Sequence, residues 1–515
     1  MRLRIVYLVV LVACVPCRAD DLAKKLEAVM DRPEYAQAHW GVLVVNAETG
    51  DVVYSRNPDK LFAPASTTKL FSTAAALIAL GPDYKFETPV YRRGKIGLDG
   101  TLDGDLILVA SGDLTFGGRT TADGKTVFKD HDHIYANSGL MDSEVTDTNP
   151  VGGLEDLAKQ IAKAGVKEVT GEILIDDRLY ARTKGSGSGP DAVSPIMVND
   201  NVVDLVVTPP ATPEGKPKVA LRPTSGVIQL DAEVTTGLPA SKPSLTLAVM
   251  GPTQFAVRGK VPLNGKPVVR IFPIDDPASF ARSLFIESLR RAGVRVQAPL
   301  VKATRSDLPE SAGYAKLSKI AVHTSAPFMD AITVTLKVSH NLYASALPCL
   351  VAVKNGQKTA EDGLRIQGRI LKKLGVDVKT ISFGGGAGGA NADYVTPRAA
   401  VQLLRGMAKR PEWDAYRAAL PVLGVDGTLA DVIDSDSPAK GKVFGKTGTL
   451  IWYDAMNSRM LLRSKALVGG TKSTNGTDLD FAIFVNDVPL PSGMMAGREG
   501  KALGKLAAIV QQNGP

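Results

Sequence analysis

The sequence predicts an α/β chain, and three observations carry that expectation: a strand pair near the start, an apolar helix directly behind it, and mixed strand and helix patterning further on. Residues 39–45 (HWGVLVV) and 51–54 (DVVY) are β-branched runs on either side of the Gly-bearing turn 47–50, so they read as two strands. Residues 67–80 (TTKLFSTAAALIAL) follow, with Pro64 just before and Gly81-Pro82 just after. Pro at the start and Gly-Pro at the end punctuate a helix, and its alanine- and leucine-rich sequence marks it as buried. Residues 89–109 read as short strands with Gly turns, and residues 154–164 (LEDLAKQIAKA) as an amphipathic helix stopped by Gly165. Residues 168–176 read as one buried strand, and residues 201–208 and 244–250 as further strands rich in Val and Leu. With 515 residues, 44% of them hydrophobic, the chain can build two or three sizeable cores.

Three short motifs stand along this framework in one order: Ser66-Thr-Thr-Lys69, Ser339-His-Asn341 and Lys446-Thr-Gly448-Thr449. Together they hold a nucleophile, a proton acceptor, a hydroxyl relay, an amide and a cationic strand edge. That is the inventory of a serine acyl-transfer site without a catalytic histidine. Such motifs also recur by chance, and Ser437-Pro-Ala-Lys440, Ser55-Arg-Asn57 and Ser473-Thr-Asn475 are decoys in this chain. Context separates them. Ser66 opens the apolar helix, and Lys69 lies one turn along on the same face, within reach of the Ser66 oxygen. A desolvated lysine near other cations loses its proton and can serve as base, and a helix N-terminus favours developing negative charge. The ordinary alternative is a capping serine beside a solvated lysine. Ser55 has no helix behind it, and Ser437 precedes Pro438 in a polar loop.

The second motif follows residues 327–337 (PFMDAITVTLK), whose apolar residues have helical spacing, and leads into 341–347 (NLYASAL). A break between two helical segments presents short polar side chains to a cleft. There Ser339 would pass a proton to a leaving amine, and Asn341 would orient the substrate amide and Lys69. His340 reads as a structural residue that points elsewhere. The third motif lies in the strand-like run 441–450 (GKVFGKTGTL). Gly448 admits close approach of a second backbone, Lys446 adds positive charge, and the Thr447 and Thr449 hydroxyls can grip a carboxylate. An extended substrate would pair with this strand, and the backbone N–H groups of Ser66 and Thr449 form a natural oxyanion pair.

With these motifs the chain resembles the serine D-alanyl-D-alanine carboxypeptidase/endopeptidase family, the class C low-molecular-mass penicillin-binding proteins of peptidase family S13. The stretches 192–202 (AVSPIMVNDNV), 420–429 (LPVLGVDGTL) and 481–486 (FAIFVN) extend the likeness towards the C-terminus. The resemblance implies a β-lactamase/DD-peptidase-like domain, an antiparallel sheet flanked by helices, interrupted by two inserted, largely β-containing domains. The expected organisation is a signal peptide at 1–19, an acyl-transfer domain from 20–88 and 312–515, and an inserted region at 89–311 whose outer domain covers roughly 112–190. The implied activity is hydrolysis of D-Ala-D-Ala termini or D-Ala cross-links of peptidoglycan through an acyl-enzyme, with β-lactams as covalent inhibitors and no cofactor or metal. Ser66, Lys69, Ser339, Asn341 and Lys446 are the expected catalytic residues, with Thr447, Gly448 and Thr449 binding substrate. A serine β-lactamase and a catalytically impaired peptidoglycan-binding homologue are the alternatives. More than half of the chain separates Ser66 from Ser339, which argues against the first.

Departures from the family pattern are local. His340 stands where Asp is common, and Ser345 replaces a glutamate, which removes an expected ion pair. The run 383–391 (FGGGAGGAN) stands where the family shows Asp-Gly-Ser-Gly-Leu-Ser-Arg. Its glycines predict a looser loop beside the cleft. Residues 452–465 after the third motif are longer than usual.

Arg2 and Arg4, the apolar run 5–13, and Cys17-Arg-Ala19 before Asp20 read as a secretory leader, too short to span a bilayer. The expected location is therefore periplasmic or extracytoplasmic. Leu11-Val-Ala-Cys14 also matches the sequence before a lipid-modified cysteine, so tethering at Cys14 is a second reading. After cleavage at Ala19 only Cys349 remains, in an apolar setting that suits an inert core thiol. Asp130-His-Asp-His133 reads as part of a polar flexible loop between Gly118 and Gly152 rather than a closed metal site. The net charge of +8 includes no Lys/Arg patch with interleaved aromatics, which argues against nucleic acid. It suits attraction to an anionic cell wall.

Overall fold

In a computed structural model, which describes residues 17–139, 142–301 and 308–515, the two ends of the chain build one antiparallel sheet. The leader up to residue 16, with Cys14, lies outside the described residues. The strand order is Val443–Asp454, Arg459–Lys472, Asp478–Asn486, His39–Asn46, Val52–Arg56. His39–Asn46 is buried on both faces, and its alternation decides which core each residue joins. Val42 and Val44 pack with Leu22, Leu26, Phe481 and Leu506 under the helices Cys17–Met30 and Gly497–Asn513. Leu43 and Val45 pack on the opposite face with Leu70, Phe71 and Leu347. The sheet is thus the middle layer between two sets of helices, the arrangement expected of the acyl-transfer fold.

The expected helix behind the first strand pair is Thr68–Leu80, preceded by a 3-10 turn at Ala65–Thr67. Leu70, Phe71, Ala74, Ala75, Ala76 and Leu77 are all buried, so this helix runs through the core and fixes its first turn firmly. Phe328–Lys337 and Asn341–Lys354 are the two helical segments around the second motif, and both pack in the same core. Cys349 is a buried free thiol there, its pKa pushed up to about 12 by burial.

Between the nucleophile helix and the second motif lie further sheets around a separate core. Glu87–Ile96, Thr101–Val109 and Ser318–Thr324 are neighbours in one sheet, which also takes in Ile173–Asp176. Val202–Thr208 pairs with both Lys218–Arg222 and Val268–Pro273. Gln229–Gly237, Gln254–Pro262 and Ser244–Gly251 form a third sheet. The stretch expected as one strand at 168–176 is two short ones, Glu168–Val169 and Ile173–Asp176. The break falls at Gly171, whose backbone lies so close to Gly104 O and Asp105 that a Cβ would overlap them. No helix among the described residues is long and apolar enough to cross a membrane.

Candidate active site

Each motif residue reaches the site for a local reason. The Ala65–Thr67 turn sets Ser66 at the mouth of the buried helix, while Lys69, one turn on, is fully buried. Lys69 Nζ lies 2.8 Å from Ser66 Oγ, 2.7 Å from Asn341 Oδ1 and 2.8 Å from Ala387 O. Burial, reinforced by the Lys446 cation, pushes the Lys69 amine well below its ordinary value, and Asp393 opposes this. A neutral amine has two N–H groups and one lone pair. Asn341 Oδ1 and Ala387 O accept the two N–H groups, which turns the lone pair towards the Ser66 hydroxyl.

Ser339 occupies the break between the two helices with a φ of 67°, a left-handed conformation uncommon for a residue other than glycine. Its carbonyl accepts a hydrogen bond from the Tyr135 hydroxyl. Its own hydroxyl accepts from Lys446 Nζ at 2.9 Å. Lys446 is fully buried, and burial, helped by Lys465, lowers its pKa to about 7. Lys446 also donates to Thr447 O at 2.8 Å, and Thr447 Oγ1 donates to Thr428 Oγ1 at 2.6 Å. Gly448 brings the third strand against the nucleophile turn: a Cβ there would stand 2.6 Å from Pro64 O and 3.1 Å from the Ser66 nitrogen. Ser66, Ser339, Asn341, Thr447 and Thr449 line one cleft of about 1240 Å³. The three motifs therefore converge, and the decoy Ser437 stays in its loop.

Two expectations are corrected. The glycine-rich loop is held in place. Ala387 O accepts from Lys69, Gly386 O accepts from Ser72 Oγ at 2.8 Å, and Asp393 accepts from the amides of Gly384 and Ala390 at 2.7 and 2.8 Å. Its glycines serve close approach: a Cβ on Gly386 would overlap Ala344 O, and one on Gly388, with φ of 91°, would overlap Ala65 O. The Asp130–His133 segment is likewise no open polar loop, because Asp132 and His133 are buried.

These two belong to an ion network that runs to the second motif. Arg119 grips Asp132 at 2.7 and 2.9 Å and Asp200 at 2.6 Å. His133 joins Asp204 at 2.6 Å through Nδ1 and Asp200 at 2.9 Å through Nε2, and Arg222 reaches Asp204 at 3.0 Å. Burial alone would lower the His133 pKa, but Asp204 and Asp132 overcome it and raise it to about 10. His340 caps its helix by accepting from the Tyr343 amide, stacks on Tyr343, and sets Nε2 3.3 Å from Asp200. Burial lowers its pKa, so it is the neutral imidazole of the group and structural, as its sequence position suggested. Asp132, His133 and Asp200 could in principle hold a metal. The Arg119 guanidinium already fills the space between the two carboxylates.

Sequence reasoning missed Asp200, Tyr135, Ala387, Asp393 and Lys465. The last donates to Thr449 Oγ1 at 2.7 Å from the neighbouring strand. A signal existed only for the first: Asn199, Asp200 and Asn201 all have positive φ, and Asn and Asp are the residue types that tolerate it.

Comparison with known proteins adds the family. A D-alanyl-D-alanine carboxypeptidase of Actinomadura sp. strain R39 is 30% identical over 468 residues, covering 85% of this chain and 78% of that protein. The D-alanyl-D-alanine carboxypeptidase DacB of Haemophilus influenzae is 24% identical over 447 residues, covering 84% and 82%. The crystal structure of penicillin-binding protein 4 from Haemophilus influenzae superposes with a TM-score of 0.67 at 21% identity, covering 95% of this chain and 97% of that one. A family model described as D-Ala-D-Ala carboxypeptidase 3 (S13) matches residues 22–504, and the chain belongs to that family.

Proposed function

We infer that the protein is a serine DD-peptidase that cleaves D-alanyl-D-alanine termini or D-Ala cross-links of peptidoglycan through an acyl-enzyme. The observation that carries this reading is the buried Lys69 amine, in contact with Ser66 Oγ and Asn341 Oδ1, beside the Lys446–Ser339 pair. Ser66 attacks the carbonyl carbon of the penultimate D-Ala, and neutral Lys69 takes its proton. The backbone N–H groups of Ser66 and Thr449 hold the oxyanion. Ser339 hands its proton to the departing amine as the C–N bond breaks and takes one from the Lys446 ammonium, which donates to its hydroxyl. Water then cleaves the Ser66 ester: neutral Lys446 takes back a proton from the attacking water through Ser339, Lys69 returns its proton to Ser66 Oγ, and the second product leaves. Thr447, Gly448 and Thr449 align the substrate as an added strand.

On this reading residues 20–88 and 312–515 form the acyl-transfer unit and residues 89–311 the inserted region, whose first sheet also takes the strand Ser318–Thr324 from the returning chain. β-Lactams acylate Ser66 as substrate mimics, in keeping with the β-lactam complex of Haemophilus influenzae penicillin-binding protein 4. A peptidoglycan substrate requires action outside the cytoplasm, so residues 1–19 serve as a secretory leader. The test is mass spectrometry of a stem pentapeptide ending in D-Ala-D-Ala, and of a cross-linked dimer, after incubation with wild type and Ser66→Ala. Wild type should release D-Ala or split the dimer, and Ser66→Ala should do neither. Turnover that survives Ser66→Ala would overturn the assignment.

A further inference from the structure

The hairpin that follows the third motif takes part in no step of the acyl-transfer reaction, and its length departs from the family pattern. It is made by Val443–Asp454 and Arg459–Lys472. Val443–Asp454 is the end strand of its sheet, so past Thr449 its outer edge pairs with no further strand among the described residues. Alternate residues of a strand share a face. Thr447, Thr449 and Ile451 line the cleft, and Tyr453 is next in that row. The bulge between Leu450 and Ile451 takes its extra residue, Arg463, from the neighbouring strand, which leaves the row unbroken. Tyr453 also lies directly opposite Met460, another cleft-lining residue, and directly opposed residues share a face. Yet Tyr453 is 58% exposed and joins no core of the described residues. The turn beyond it is fixed, because Asp454 accepts from the Asn457 amide at 3.2 Å and from Asn457 Nδ2 at 2.8 Å.

Length and direction say what reaches this ring. A substrate whose scissile carbonyl sits at the Ser66 and Thr449 N–H groups has its C-terminal residue on the cationic Lys446 side. Its acyl part therefore runs the other way, along Leu450 to Asp454. Thr449 to Tyr453 spans about 14 Å of strand. The acyl part of an extended stem pentapeptide also measures about 14 Å. At that end the peptide is joined to an amino sugar of the glycan strand. A pyranose shows C–H groups on its faces and hydroxyl and acetamido groups at its rim, which suits a phenol, an apolar ring with a polar tip. A lipid surface fits less well. The two arginines nearest the turn already meet carboxylates, Arg459 with Asp454 at 3.2 Å and Arg463 with Asp487 at 3.1 Å. Attraction to anionic lipid needs free cations, and a neutral sugar does not.

We propose that Tyr453 is a sugar-binding platform: it stacks on the N-acetylated amino sugar that carries the stem peptide, and so favours substrates still attached to glycan. This rests on the acyl-transfer reading above and extends it to the glycan end of the substrate.

The test uses whichever of the stem pentapeptide and the cross-linked dimer is cleaved faster, and compares kcat/KM for the bare form and for the form carrying its N-acetylglucosaminyl-N-acetylmuramyl disaccharide. Wild type, Tyr453→Ala, Tyr453→Phe and Trp452→Ala are measured. Trp452 serves as control, because it is equally accessible, 64% exposed, but on the opposite face of the strand. Wild type should favour the disaccharide form about tenfold, the scale of one well-placed aromatic contact. Tyr453→Ala should lose most of that preference and cleave the bare form at the wild-type rate. Tyr453→Phe should keep most of it, and Trp452→Ala all of it. A wild type that handles both forms equally overturns the proposal, whatever the variants do. So does a preference that survives in Tyr453→Ala, or an equal loss in Trp452→Ala. Binding to phosphatidylglycerol vesicles, or a dimer in sedimentation velocity, that Tyr453→Ala removes while the sugar preference stays would assign this face to lipid or to a second copy and likewise overturn it. A wild type that cleaves neither peptide in either form is a separate result, which sinks the acyl-transfer reading and this platform with it.

Discussion

Replacing Asp200 with Asn removes one charge from the buried network without disturbing its shape. Asp200 has φ of 53°, and Asn tolerates that conformation as well as Asp does, so the backbone turn survives. In the native cluster three cations, Arg119, His133 and Arg222, face three carboxylates, Asp132, Asp200 and Asp204. Asp200 is only 4% exposed and accepts from Arg119, His133 and the Tyr343 hydroxyl. Neutralising it leaves one buried positive charge without a partner, which costs about 3–5 kcal/mol. Arg119 keeps Asp132 and His133 keeps Asp204, which places the loss at the lower end of that range. Hydrogen exchange of peptides spanning 130–137, 198–205 and 338–345 is the assay, because it reads local opening directly. Exchange should accelerate about 100-fold in all three, since the network ties them together. Acceleration below about fivefold, or acceleration confined to one segment, would refute the reasoning.

Gly388→Ala should abolish acylation while most of the fold persists, because the new methyl group would overlap Ala65 O beside the nucleophile; labelling with fluorescent penicillin checks this, and near-native labelling contradicts it. The acylation rate should rise with pH as buried Lys69 loses its proton, then fall as Lys446 passes its value of about 7. Lys465 lowers that value, so Lys465→Met should move the alkaline limb upward, and a pH–rate profile with an unmoved limb contradicts the proposed coupling. His133, raised to about 10 when folded, from about 6.5 when unfolded, stabilises fully below pH ~6.5 and loses its contribution as pH rises through 10. Thermal melts of His133→Gln against wild type should therefore differ most at pH 6 and converge towards pH 10.

What could be read in the sequence were features set by local structure. Ser66 and Lys69 share one helical turn, Ser339 and Asn341 share one break, and Lys446 to Thr449 share one strand. Order and local context were enough to separate these from their decoys. Features made by tertiary closure were not legible. Ala387 acts through its carbonyl oxygen, which no side-chain pattern announces. Glycine-rich composition suggested looseness because freedom and close approach use the same residue, and only the neighbouring Ala65 and Ala344 oxygens distinguish them. Asp132, His133 and Asp200 come together from distant segments, so a polar-looking loop turned out to be a buried brace. Lys465 gains its meaning only from the register that sets it opposite Thr449.

The most direct test of the central claim is the intact mass of the protein after incubation with benzylpenicillin, followed by peptide mapping. Wild type should gain one penicilloyl adduct, carried by the peptide containing Ser66, and Ser66→Ala should gain none. An adduct on any other residue, or an equal mass gain in Ser66→Ala, would contradict the account.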